Sequence, residues 1–321
     1  MHALFCNFVL MLNRRHLRIR VLQALYAWQQ TPERDLVKAE NAFIKSLQEV
    51  EELYTLLLLY LIELRDYAAN FIEESKSKRL PTQEDLNPNT KFIDNLFLNR
   101  LKDDTALLSL ASAYKLSYAG EEEMLKKIFF KLKETHEYQE YINIDNQNFE
   151  SEKRFVSKIF GKFLVEDNHF QHFLAEKNIH WDDDLPFITS MVIKTIKDSE
   201  EGKIQLMPLF KDKEDKHFCL NLFRKTTIHA KSFTELISSK ISNWEIERVA
   251  QLDLLLMQMA LTEILEMPTV PVKVAMNEYI DMAKYYSTPK SKNFVNGILD
   301  SLLIEFKKEG TIRKTGRGLI E

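Results

Sequence analysis

Only 7 glycines and 8 prolines occur among 321 residues, and three of the glycines, Gly310, Gly316 and Gly318, fall in the last dozen positions. Four are left for the body of the chain, too few for a fold that turns often or brings backbone close to phosphate. With 45% hydrophobic residues, a chain of this length can bury a sizeable core. A large core with few breakers predicts an all-α protein. Neither GxGxxG nor GxxxxGK followed by Ser or Thr can be assembled, which disfavours nucleotide-binding α/β enzymes and most cofactor chemistry.

Cys6 and Cys219 lie 213 positions apart and supply neither a disulfide framework nor a paired-cysteine metal knuckle, so a reducing, cytoplasmic location is expected. The longest apolar run, Leu53 to Ile62, is flanked by glutamates and is about half of the ~20 residues needed to span a bilayer. Met1 to Leu12 is apolar but lacks a basic n-region and a small-residue cleavage site. Translation is expected to begin at Met11, with residues 1–10 a non-native start.

Charge divides the chain. Of the net −4, residues 1–30 hold +4 (four arginines, no acid) and residues 271–321 hold +3, so the middle carries −11. An acidic middle repels polyanions; a nucleic acid would have to be held by the two ends, brought together by folding.

Apolar spacing predicts one amphipathic helix over Met11 to Gln30, capped by Asn13 and stopped by Thr31-Pro32, with Leu17, Val21, Leu25 and Trp28 on its buried stripe. Glu33 to about Lys78 contains no Gly or Pro and reads as one long helix or two. Turn formers between Arg79 and Thr90 link to a further helical block reaching about Asn178, and later helices are expected at about 220–240, 244–266, 271–286 and 289–308. Asp182, Asp183 and Asp184 precede Leu185-Pro186; three adjacent carboxylates before a helix serve more readily as caps and dipole partners than as a cation site. His169, His172 and His180 have no fourth ligand at a zinc-like spacing and read as exposed helical histidines. No metal, cofactor or catalytic constellation is expected.

Two constellations carry functional weight. On the first helix, Arg14, Arg15 and Arg18 fall on one face, with Arg20 and His16 to the side, Gln23 and Tyr26 further along and the apolar stripe opposite. Guanidinium forks suit phosphates and stack on unpaired bases, while Gln and Tyr offer base-edge hydrogen bonds and a stacking plane. The competing reading is a solvated face that binds nothing. In YYSTPKSKNFVNGILDSLL (Tyr285 to Leu303), Thr288 is the expected N-cap and Pro289 the first helical residue. Lys290 and Lys292 then sit at a helix N-terminus, where the dipole favours anions, an arrangement that suits an external phosphate. With Ser291, Asn293 and free backbone N–H groups they would form an anion-binding corner; plain surface solvation is the alternative. Gly297 inside this helix suggests a close helix crossing.

These same segments carry a family resemblance. RRHLRIRVLQALYAWQ resembles the arginine-rich opening helix of the NusB family, and VAQLDLLLMQMALTEIL, VPVKVAMNEYIDMAKYYS and KSKNFVNGILD are similar to its closing helices. The resemblance covers about 11–50 and 215–308, so residues 51–214 are expected to be a helical insertion or extension of the bundle, and 309–321 a flexible basic tail.

The resemblance implies a compact NusB-like helical bundle that, with the ribosomal protein NusE, binds boxA-type single-stranded RNA of ribosomal leader transcripts and takes part in the RNA polymerase antitermination complex, without catalysis. It implies an RNA-contacting set of Arg14, Arg15, Arg18, Gln23, Tyr26, Lys292, Asn293 and Phe294, with Asp253 bordering the surface. Phe294 has an equal claim to be core. Where some relatives place an acid just before the serine, this chain has Lys290, which removes repulsion for phosphate. Two rivals remain: a NusB-like domain also fronts certain ribosomal RNA cytosine methyltransferases, and a helical scaffold could bind proteins without RNA.

Overall fold

The computed structural model describes residues 12–32, 35–144, 148–241 and 246–319. The expectations about residues 1–10, a start at Met11 and Cys6 lie outside them. Among the described residues there is no strand, only one isolated antiparallel bridge between Glu200 and Lys203. No described helix is long and apolar enough to cross a membrane.

α1 (Arg14–Gln30) starts on Asn13, whose side chain accepts the backbone N–H of His16, and ends at Thr31. α2 (Leu36–Lys76) is one unbroken helix of 41 residues, as the absence of Gly and Pro allows. The expected linker after it holds a single short turn, α3 (Gln83–Leu86), closed by a capping box between Thr82 and Asp85. Then follow α4 (Leu96–Lys102), α5 (Thr105–Tyr114), α6 (Glu122–Glu134), α7 (His136–Ile142), α8 (Phe149–Ile159), α9 (Asn168–Lys177) and α10 (Trp181–Asp198). Side-chain caps at Asn95, Asp104, Thr135, Asn148 and Asp167 start five of these helices. Asp182, Asp183 and Asp184 occupy the first turn of α10, where the helix dipole favours them. α11 (Lys213–Ser238), α12 (Gln251–Leu261), α13 (Val272–Tyr286) and α14 (Ser291–Glu309) complete the chain.

The chain divides into two compact units, Gln48–Leu209 and the pair Leu12–Leu47 with Phe210–Glu321. In the first, the core is aromatic: Tyr60 stacks on Phe170 with centroids 3.9 Å apart, and Phe155 stacks on Tyr141. Several of its buried polar groups are paired internally. Tyr54 Oη lies 2.5 Å from Thr195 Oγ1 and accepts the N–H of Met207, while Lys153 Nζ donates to the carbonyls of Lys197 and Ser199 at the end of α10.

In the second unit, α12 is the central post. Its residues Leu255 to Leu261 are all buried, as expected of a helix apolar on every side, and it packs against α1, α11, α13 and α14. Past Leu261 the helix widens into a π-helical turn, Thr262–Glu266. The start of α2 joins this unit through Phe43, stacked on Phe223, and Glu40, which accepts two hydrogen bonds from Arg224. Cys219 is buried in α11, and burial pushes its thiol up to about 12, so it is unreactive.

Two expectations are corrected. Gly297 is exposed and a Cβ there would meet nothing within 4 Å, so no helix crosses at that position. Helix α14 begins at Ser291 rather than Pro289, because Thr288, Pro289 and Lys290 form a turn closed by the Ser291 N–H on the Thr288 carbonyl. The tail packs back on the bundle as far as Gly318. Gly310, at φ 67°, ends α14; beyond it, the Thr315 N–H donates to the Pro268 carbonyl and Lys314 Nζ donates to the carbonyls of Glu263 and Met267.

Candidate nucleic-acid interface

Leu17, Val21, Leu22 and Leu25 bury one stripe of α1, each side chain contributing about 1.5–3 kcal/mol of hydrophobic stabilisation. Arg18 lies on that stripe, not with the exposed arginines. It is 2% exposed, and its Nε and Nη2 donate to both carboxylate oxygens of Glu263 at 2.7 and 2.8 Å. Glu263, in the π-helical turn, is 0% exposed and also accepts the Tyr279 hydroxyl at 2.6 Å. Burial pulls the Arg18 guanidinium down, but the charge and hydrogen bonds of Glu263 outweigh it and hold the proton more firmly than usual. Burial, reinforced by Glu263, raises the Tyr279 phenol well above its ordinary value. This trio fastens α1 to α12 and α13, and it takes Arg18 out of the expected phosphate-binding set.

Arg14 and Arg15 are half-exposed and both have carboxylate neighbours. Arg14 Nε donates to Asp215 Oδ1 at 3.1 Å while its guanidinium lies over the Phe218 ring. Arg15 sits 3.7 Å from Asp281 and 3.9 Å from Glu278. His16 is held below its ordinary value by burial and by Arg20 and Arg15, and is neutral at neutral pH. Gln23 and Tyr26 are exposed. Tyr26 shares a face with Arg15 about 16 Å further along the axis at 1.5 Å per residue.

The second constellation is built on α12. Asp253, buried near its start, accepts the Ser291 hydroxyl at 2.6 Å. Ser291 Oγ in turn accepts the Thr288 N–H and lies 2.8 Å from the Thr288 hydroxyl. Ser291 is therefore buried and committed to the turn, and Asp253 supplies from within part of the negative charge that the α14 N-terminus favours. Neither is free to touch a ligand; both hold the corner in place. What the corner presents is Lys290, Lys292 and Asn293, all exposed, with Phe294 half-buried. Among the described residues the two lysines have no ion-pair partner, and the backbone N–H groups of Lys292 and Asn293 have no acceptor.

Sequence reasoning passed over Tyr285 and Tyr286, which end α13 immediately before this corner and are 67% and 43% exposed. Their signal was present: two aromatics at the end of an otherwise amphipathic helix, followed by Ser-Thr-Pro-Lys. The start of α12 also receives the far end of α1, where Gln30 donates to Gln251 and Gln251 donates to Gln29. The tertiary structure thus places the Tyr26 end of α1, rather than its arginines, at the same end of the post as the lysine corner.

The description "NusB family" attaches to a family model matching residues 187–303, which contains the second half of α10, α11 to α13 and α14 as far as Leu303, but not α1. The transcription antitermination protein NusB of Salinibacter ruber is 42% identical over 129 residues, covering 40% of this chain and 81% of that protein. The chain belongs to the NusB family. The NusB of Chloroherpeton thalassium is 40% identical over 110 residues, 34% of this chain and 52% of its own length. That of Oleidesulfovibrio alaskensis is 38% identical over 84 residues, 26% and 54%. The chain therefore spans about half the length of these last two relatives. No solved structure matches it. Within the family-matched stretch lie Asp253 and Lys290 to Phe294, and the all-α bundle carried by α11 to α14 is the family's.

Proposed function

We propose that this protein is a transcription antitermination factor that binds boxA-type single-stranded RNA together with NusE, in the cytoplasm, as part of an RNA polymerase antitermination complex. It makes and breaks no covalent bond. The observation that carries the reading is the lysine corner: two uncompensated ammonium groups and two open backbone N–H groups, beside exposed tyrosines, on a bundle shared with relatives named as antitermination proteins. Lys290, Lys292 and Asn293 take phosphate; Tyr285, Tyr286, Tyr26 and the edge of Phe294 stack on unpaired bases; Gln23 offers a base-edge contact. Arg14 and Arg15 extend the track along α1, exchanging carboxylate partners for phosphate. Arg18, Asp253 and Ser291 act as scaffold. Residues 51–214 are a helical insertion or extension of the bundle.

The test is an anisotropy titration of a labelled boxA RNA, with and without NusE, at two salt concentrations. Wild type binds more tightly with NusE present and at low salt. In Lys290→Glu/Lys292→Glu, affinity falls and the dependence of log K on log salt flattens by about 0.7 for each phosphate that is no longer neutralised. Equal binding by the double variant would remove the corner from the interface.

A further inference from the structure

Along α14, from Asn296, one turn beyond Lys292, to Lys307, about 22 Å from it, runs a groove of about 650 Å³. One wall is the outer face of α13, with Val272, Met276 and Ile280; the opposite wall is α14, with Leu303 and Phe306; the docked tail closes the end through Ile312 and Leu319. The floor is aliphatic. The rim is basic: Lys273, Lys307 and Lys314 line it against Asp300 alone; Lys308, Arg313 and Arg317 adjoin the lining residues in sequence, as do Glu278, Asp281, Glu305 and Glu309, of which the first two pair with Arg15 and the third with Lys240. Among the described residues, Lys273, Lys307, Arg313 and Arg317 have no ion-pair partner, whereas Arg14, Arg15 and Arg18 of α1 each have one.

The tail wall is built, not incidental. Lys314 is tied to the Glu263 and Met267 carbonyls, and Gly318 approaches the chain so closely that a Cβ would meet the Pro268 carbonyl oxygen. Leu319 is left 68% exposed at the mouth. An aliphatic trough with an unneutralised cationic rim lacks the exposed aromatic planes on which single-stranded bases stack. It matches the apolar-anchor-plus-charge pattern of peptide recognition.

We infer that this groove is a docking site for an acidic peptide segment of a partner protein: one or two large aliphatic or aromatic side chains seat between α13 and α14, and flanking Asp or Glu residues pair with Lys273 and Lys307. The site contains none of the lysine-corner residues and does not depend on RNA binding.

The experiment is selection of a phage-displayed random dodecamer library on the full-length protein, followed by anisotropy with the most enriched synthetic peptide. Enriched sequences should place acidic residues around a bulky apolar anchor. Their affinity should fall at least about tenfold in Lys273→Glu/Lys307→Glu, which reverses two exposed charges. It should also fall in Gly318→Ala, which displaces the tail wall while leaving every charge in place, and should be unchanged in Lys290→Glu. No enrichment, enriched peptides without acids, or affinities indifferent to both groove variants would overturn the assignment. So would loss of boxA RNA affinity in Lys273→Glu/Lys307→Glu, which would give the groove to RNA instead.

Discussion

The first turns of α1 and of α14 are both basic in sequence, yet they are electrostatically unlike. Arg14, Arg15 and Arg18 each face a carboxylate from α11, α13 or the π-helical turn after α12. Lys290 and Lys292 face none, and the one acid beneath them, Asp253, is occupied by Ser291. Similar runs of cations thus leave one surface largely neutralised and the other with its field intact. A phosphate arriving at α1 must displace Asp281 or Asp215, while one arriving at α14 displaces only water.

The largest expected effect separates Arg18 from its neighbours. Arg18→Ala leaves Glu263 charged, buried and without its main partner, and should lower the unfolding free energy by about 3–5 kcal/mol in a denaturant titration. Arg15→Ala, at a solvent-exposed pair, should change it by under about 1 kcal/mol. A drop of similar size in both variants would dissolve the distinction between fastener and surface.

The next effect sharpens the comparison through RNA. Lys290→Ala/Lys292→Ala should weaken boxA RNA binding more than Arg14→Ala/Arg15→Ala, because the arginines give up existing ion pairs when they bind. The reverse order, measured by anisotropy at one salt concentration, would place the main phosphate track on α1.

A third prediction concerns the tail. Burial lowers Lys314 to about 8 from 10.5, against an opposing pull from Glu263. The unfolded chain therefore holds the extra proton between those values, and stability rises with pH across that window. The contribution is present above 10.5 and lost as pH falls through about 8. The melting temperature of wild type relative to Lys314→Met should shift in favour of wild type between about pH 7.5 and 9.5; a constant difference would mean that Lys314 does not titrate in that window.

The smallest effect is at Gly297, where a Cβ meets open space inside a helix. Gly297→Ala should stabilise the protein by about 0.5–1 kcal/mol. Destabilisation would restore a helix crossing at that position.

Helix content, a helical stretch without breakers across 33–78 and the Asn13 cap were legible in the chain because they depend on neighbours within a turn or two: breaker scarcity, capping side chains and the period of apolar residues; whether 33–78 held one helix or two was left to the structure, which makes α2 a single helix. The family was legible for the same reason, since order and spacing survive in the linear string. What the sequence could not determine was which polar groups find one another across the fold. Arg18 and Glu263 are 245 positions apart, and Asp253 and Ser291 are 38. Helical spacing alone put Arg18 beside Arg14 and left Ser291 open to a ligand. Only packing decided otherwise, because a buried charge or hydroxyl must be paired, and its partner comes from whichever helix the core brings alongside. The docked tail and the basic groove beneath it were hidden for that same reason: close approach at Gly318 and the carbonyls that hold Lys314 exist only once α12, α13 and α14 are assembled.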